Sequence, residues 1–210
     1  MLHVLDLERL VDFPEHGGFH LVFPRVAWRV GSISTTAVRV LVGLGSNRGA
    51  SVDIVLRALE DLREMSVGRF RASSLWRTSP VDCPPGSADF VNAVAAFSAE
   101  ATSPEWLLSR LKTLERRYGR AEAPVRNAPR ELDLDLLLFG DVLRRTKRLT
   151  LPHPRALVRG FVMTPAAEAA PEWTWPGEGR TIADLARGLV TDETLTRLPR
   201  SSGAPLERAG

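Results

Sequence analysis

The chain of 210 residues contains a single cysteine, Cys83, which excludes an intrachain disulfide. No Cys/His spacing marks a zinc site. No apolar run is long enough to cross a bilayer, so no membrane partner is expected. The first residues, Met1-Leu-His-Val-Leu-Asp-Leu-Glu8, carry acids among their apolar positions and do not read as a signal peptide; a cytoplasmic protein is the expectation. Neither sign of charge dominates: 28 Lys and Arg stand against 25 Asp and Glu, a formal net charge of +3, and the basic residues are dispersed. A nucleic-acid surface usually concentrates them in a stripe, so no nucleic-acid partner is expected, and the slight excess favours a small anionic ligand. There is no internal repeat.

What is present suits a folded body. Hydrophobic residues at 44% and charged residues at 25% fit a globular domain, and the length supports one such domain with tails. Residues 1–36 hold His3, His16 and His20 without clear periodicity, and are expected to form a peripheral or disordered extension. A domain over 37–196 follows, then a loose tail at 197–210 rich in Arg, Ser, Gly and Pro. Within the domain, residues 38–43 read as a strand that breaks at Gly43-Leu-Gly-Ser-Asn-Arg-Gly49 into a glycine-rich turn. Ser51 is placed to cap a helix whose apolar positions Val52, Val55, Leu56, Leu59 and Leu62 keep the helical period. Residues 69–79 and 90–97 read as two further strands around a proline-rich loop. Ser103-Pro104-Glu105 is a helix start, with an N-cap, a proline in the first turn and an acid on the dipole, for a helix reaching about Tyr118. A polar loop leads to another strand, and a last short helix over 182–189 starts after Thr181. The order β-α-β-β-α-β predicts an α+β fold, a ferredoxin-like α/β sandwich with a mainly antiparallel sheet and flanking helices on one face.

The run Arg130-Glu-Leu-Asp-Leu-Asp-Leu-Leu-Leu-Phe139 carries the chemistry. On a strand, Asp133 and Asp135 point to one face, about 7 Å apart, while Leu132, Leu134 and Leu136 take the other. Two like charges side by side call for a cation between them. A hard ion such as Mg²⁺ suits paired oxygens and usually arrives with phosphates, and Arg130 adds a planar fork suited to phosphate oxygens. An exposed acidic strand end beside a solvated arginine would look the same in isolation. The glycine loop does not decide the matter. Gly43-x-Gly45-x-x-Arg48 lacks the third glycine of a dinucleotide fingerprint and the Lys-Ser/Thr of a P-loop, so turning strand into helix is its better single reading.

Gly43-Leu-Gly-Ser-Asn47, Arg77-Thr-Ser-Pro80, Asp89-Phe-Val-Asn-Ala93, Leu114-Glu-Arg-Arg-Tyr-Gly-Arg120, Pro129-Arg-Glu-Leu-Asp-Leu-Asp135, Leu151-Pro-His-Pro-Arg155 and Arg159-Gly-Phe161 occur in this order. Together they closely resemble the 6-hydroxymethyl-7,8-dihydropterin pyrophosphokinase family, over about residues 38–173. The resemblance implies a ferredoxin-like enzyme of folate synthesis that transfers pyrophosphate from ATP to the pterin hydroxymethyl group, expected as a monomer with two Mg²⁺ ions. It implies Asp133 and Asp135 as metal ligands and Arg120 and Arg130 as catalytic-loop arginines on ATP. Glu115, His153 and Arg159 are implied near the nucleotide, with a plain surface glutamate as the other reading of Glu115. Phe90, Asn92 and Phe161, with backbone groups from Thr78 to Val81, are implied as the pterin pocket. A flat heteroaromatic ring wants aromatic faces and an edge partner that both donates and accepts, as Asn does.

The chain departs from the family where Trp-Gly-Pro-Arg is common. Here the stretch is Asn127-Ala-Pro-Arg130, and Glu122 stands where a basic residue is frequent. The metal and phosphate groups are untouched, but closure of the loop loses an apolar anchor. The competing reading is therefore a pterin- or nucleotide-binding homologue with impaired catalysis. An RNA-binding module of the same topology would need clustered aromatic and basic strand motifs, which are missing.

Overall fold

The computed structural model describes residues 37–119 and 129–199. The expectations for residues 1–36, for Arg120, Glu122 and Asn127, and for the tail from residue 200 lie outside the described residues. In chain order the elements are β1 (Val38–Ser46), α1 (Ser51–Glu64), β2 (Phe70–Ala72), β3 (Trp76–Thr78), β4 (Phe90–Ala99) and α2 (Pro104–Arg117). Then come β5 (Asp133–Phe139), β6 (Arg144–Arg145), β7 (Thr150–Leu151), α3 (Gly160–Ala169), α4 (Ile182–Arg187) and β8 (Leu195–Arg197). The main sheet runs β5-β1-β4-β3-β8, with β2 also on β4, and these strands pair antiparallel. β6 and β7 form a separate hairpin.

β1 lies between β4 and β5, and over its first half it is covered on both faces, which explains the unbroken apolar run Val40-Leu41-Val42. On one face, Val40, Val42 and Leu44 of β1 join Val91, Ala93, Ala95 and Phe97 of β4 and Leu134 and Leu136 of β5. Val55, Leu59 and Leu62 of α1 and Leu107, Leu111 and Leu114 of α2 close over them. Each such leucine contributes about 2 kcal/mol by leaving water. The helical period read from the sequence marks the packed stripe of α1 at Val55, Leu59 and Leu62, whereas Val52, expected in it, is exposed. Ser103 caps α2, its side chain accepting from Trp106 N at 3.1 Å.

The opposite face has its own core. Leu41, Val94, Ala96, Leu137 and Leu138 pack against Val162, Met163, Ala166 and Ala169 of α3, with Ile182 of α4 and Trp175 beside them. A register shift between β1 and β5 at Leu41/Val42 lets both Leu137 and Leu138 reach this side. Both helices of the expected order do share one face, as predicted, but α3 and α4 cover the other. α3 escapes a periodicity reading because it starts at a glycine, carries Pro165 inside it and is apolar nearly all round.

Four finer expectations are corrected. The strand predicted to break at Gly43 continues through Gly45 to Ser46, since both glycines pair in the ladder with β4 and β5. Ser51 is the first residue of α1 rather than its cap. Ala50 holds that position, and Ser51 Oγ accepts a hydrogen bond from Ser46 Oγ at 3.0 Å. The single strand expected over 69–79 is two, because Ser73 and Ser74 turn inward between them. Ser73 N donates to Val94 O and Ser74 N to Glu168. The chain also pairs further than expected at its end: β8 adds to β3, and Leu198 N donates to Leu75 O at 2.8 Å. No helix among the described residues is long and apolar enough to cross a membrane.

Candidate active site

The second sheet face is covered by α3 along the first half of β1 and left open along its second half. There β1 presents Gly43 and Gly45. Gly43 lies opposite Asp135 and Gly45 opposite Asp133 on one side, and on the other Gly45 lies opposite Asn92 of β4. Residues directly opposite point to the same face, so two carboxylates and an amide stand on a floor whose central strand has no side chains. The close approach is real at Gly45, where a Cβ would lie 3.0 Å from Asn92 Oδ1. The result is a cavity of about 240 Å³.

Asp133 and Asp135 sit on an edge strand, and its free edge is occupied. Leu134, between them, would leave its N–H and C=O unpaired on the outer side of β5. Instead its N–H donates to Glu115 Oε1 at 2.7 Å, and its carbonyl accepts from Lys112 Nζ at 2.9 Å. Lys112 also binds Glu115 Oε1 at 2.6 Å. Two side chains one helical turn apart on α2 thus complete the ladder that β5 lacks. Glu115 is fully buried, so the surface reading of this residue is corrected. Burial pushes its carboxyl above the ordinary range, against the pull of Lys112.

Arg130 is positioned by β1's end. Asn47, itself buried, accepts from Arg130 N through Oδ1 at 2.8 Å, and Asn47 N donates to Arg130 O at 3.1 Å. Both backbone groups of the arginine are thereby held, and its guanidinium donates to Asp133 Oδ2 at 2.7 Å. On the far wall, His153 N donates to Leu137 O at 2.9 Å, which fixes the segment after β7 to β5. Burial lowers the His153 pKa, with Asp135 opposing and Arg159 and Arg155 reinforcing, and its Nδ1 is buried without a hydrogen-bond partner among the described residues. A neutral imidazole is the form this site favours. Burial, then the neighbouring Arg155, also lowers Arg159. The Arg159 guanidinium lies over the Phe161 ring, 5.1 Å from its centroid. Asn92 Nδ2 donates to Thr78 Oγ1 at 2.7 Å, leaving the amide oxygen towards Gly45.

Of the residues singled out from sequence, Asp133, Asp135, Arg130, His153, Arg159, Thr78, Val81, Phe90, Asn92 and Phe161 line this one cavity. Glu115 does not line it and acts on the strand behind. Lys112, Arg155 and Cys83 also line it and were not anticipated. Lys112 had a signal, its spacing of three from Glu115 on a helix. The Asn47 clamp had none beyond its place after the glycines. Among the described residues no three His, Cys, Asp or Glu gather as a complete metal cage. The donor set instead fits an ion that takes only part of its shell from protein: two hard carboxylates on one face, with bare backbone opposite.

A family model described as 7,8-dihydro-6-hydroxymethylpterin-pyrophosphokinase (HPPK) matches residues 41–171. A Synechocystis protein named 2-amino-4-hydroxy-6-hydroxymethyldihydropteridine pyrophosphokinase is 37% identical over 145 residues, covering 69% of this chain and 73% of that one. A Pseudomonas aeruginosa protein of the same name is 36% identical over 162 residues, covering 77% of this chain and 97% of that one. Among solved structures, wild-type Plasmodium falciparum HPPK-DHPS with STZ-DHP superposes with a TM-score of 0.57 at 14% identity, over 74% of this chain. That likeness shows the fold alone, and this chain spans 44% of the Plasmodium chain.

Proposed function

Since this chain belongs to the 7,8-dihydro-6-hydroxymethylpterin-pyrophosphokinase family, we propose that it transfers the terminal pyrophosphoryl group of ATP to the hydroxymethyl oxygen of 6-hydroxymethyl-7,8-dihydropterin. The oxygen attacks the β-phosphorus, the bond from that phosphorus to the α,β-bridging oxygen breaks, AMP leaves with the bridging oxygen, and the hydroxyl proton is released. The observation that carries the reading is a single cavity whose lining combines two kinds of group. Asp133, Asp135, Arg130, His153 and Arg159 are charged or anion-binding, and Thr78, Phe90, Asn92 and Phe161 suit a flat heteroaromatic ring, the two sets meeting where Arg159 stacks on Phe161. Phosphoryl chemistry of this kind asks a protein mostly for placement and for charge opposite the transferred group.

Asp133 and Asp135 would hold Mg²⁺, two ions in the family pattern, and such ions neutralise phosphate charge and polarise the attacked phosphorus when bound. The protein's own groups do the rest. Arg130, fixed by Asn47, and Arg159, fixed against Phe161, offer guanidinium forks to phosphate oxygens. His153 in its neutral form donates a hydrogen bond to an anion without taking up a proton. Asn92 meets the pterin edge, and Phe90 and Phe161 supply ring faces. Glu115 acts at one remove by holding Leu134 between the two aspartates, and Lys112, which binds the same residue, also lines the cavity. Asp135→Asn keeps size and removes charge, so it is expected to lower turnover by about 10²-fold or more with an unchanged melting temperature. Steady-state AMP formation checks this, and near-normal turnover would overturn the assignment.

A further inference from the structure

The amides of a helix's first turn find no partner inside the helix. α3 begins at Gly160, and Arg159, the residue before it, provides no side-chain cap. The partner comes from 32 residues downstream: Phe161 N donates to Glu193 Oε2 at 2.8 Å. A carboxylate there also meets the positive end of the helix dipole. Gly160 is what lets it approach. A Cβ at that position would lie 2.9 Å from Glu193 Oε2, 2.9 Å from Thr191 Cγ2 and 3.2 Å from Leu195 Cδ1. The glycine of Arg159-Gly160-Phe161 thus makes room for the segment 191–195 as it crosses the start of α3.

The same segment holds the other wall of the cavity. Ser79 N donates to Thr194 O at 3.2 Å, and Leu195 pairs with Thr78. Ser79, Thr78, Arg159 and Phe161 all line the cavity, whereas no residue of 191–195 does. The strap therefore touches both walls from behind. Resting on the reading of this cavity as the pterin and ATP site, we propose that Glu193 is a positioning residue for pterin binding: by capping α3 it sets the Phe161 ring against the wall that carries Thr78.

The test is the affinity of full-length chain for 6-hydroxymethyl-7,8-dihydropterin, by titration calorimetry with Mg²⁺ and α,β-methylene-ATP present, beside steady-state kinetics with ATP. Glu193→Ala is expected to raise the pterin Kd and KM about tenfold, the scale of one lost charged cap, while kcat at saturation stays within about threefold. Glu193→Gln, whose carbonyl still accepts from Phe161 N–H but carries no charge, is expected to bind pterin at least about threefold more tightly than Glu193→Ala. Should the alanine variant not fold, Glu193→Asp serves in its place, because the shorter side chain withdraws from Phe161. Pterin affinity undiminished in the alanine or aspartate variant, or a lowered melting temperature with an unchanged Kd, overturns the proposal, as does a glutamine variant as impaired as alanine. Wild-type chain that binds no pterin in this assay sinks the site reading itself, which keeps the two failures apart.

Discussion

Asn47 gives both its side chain and its backbone to Arg130, and at this scale the arrangement is testable residue by residue. Removing the amide with Asn47→Ala leaves Arg130 N without its partner and lets the guanidinium drift from Asp133. We expect kcat to fall about tenfold with pterin Kd unchanged, read from initial rates and calorimetry; equal loss in both would mean general damage to the floor. A second residue reports on packing. Tyr118 is the only tyrosine of the chain. Its hydroxyl donates to Asp61 Oδ2 at 2.6 Å, and burial first, then this bond, raises its pKa above the ordinary value. Absorbance at 295 nm should show no ionisation of the native protein near pH 10, and ionisation near that pH in denaturant. Because the folded value is the higher one, the contribution to stability is whole below pH ~10 and is lost as pH rises from there through the folded value. Tyrosinate forming at the same pH in both states would contradict the contact. Among residues, the paired aspartates and Arg130 stand out in the sequence by their chemistry, and the Phe-Val-Asn stretch only through the family resemblance. Lys112, Arg155 and the Asn47 clamp were not, since their roles depend on neighbours distant along the chain.

At the scale of elements, β5 is an edge strand that carries the metal-binding candidates, and an edge strand is free to bend unless something pairs it. Glu115 and Lys112 of α2 supply that pairing at Leu134. Glu115→Ala removes the acceptor of a buried backbone N–H and the partner of Lys112 together, so we expect a loss of about 3 kcal/mol in unfolding free energy, measured as a shifted urea midpoint at constant slope. A change below about 0.5 kcal/mol, the range of an ordinary surface site, would return Glu115 to a solvated role. The sequence made α1 and α2 plain through period and capping. It hid α3, whose glycine start, internal proline and all-round apolarity erase the period, and it hid β8, a three-residue edge with no pattern of its own.

Across the described domain, one sheet face changes function along its length. Leu41, Val94, Ala96 and Leu137 make it a core beneath α3, and two residues further along β1 and β4 the same face becomes a floor of Gly43, Gly45 and Asn92 with the aspartates beside it. The βαββαβ order was readable because each element has local signals. The division of the second face was not, because it depends on where α3 begins. On the proposed function, that floor holds ATP and the pterin while the bond from the β-phosphorus to the α,β-bridging oxygen breaks. The direct measurement incubates the chain with Mg²⁺, ATP and 6-hydroxymethyl-7,8-dihydropterin and separates the nucleotides and pterins formed. Equimolar AMP and pterin diphosphate, lost in Asp133→Asn, is the predicted result. ADP with a pterin monophosphate, or pterin binding with no nucleotide turned over, would contradict it.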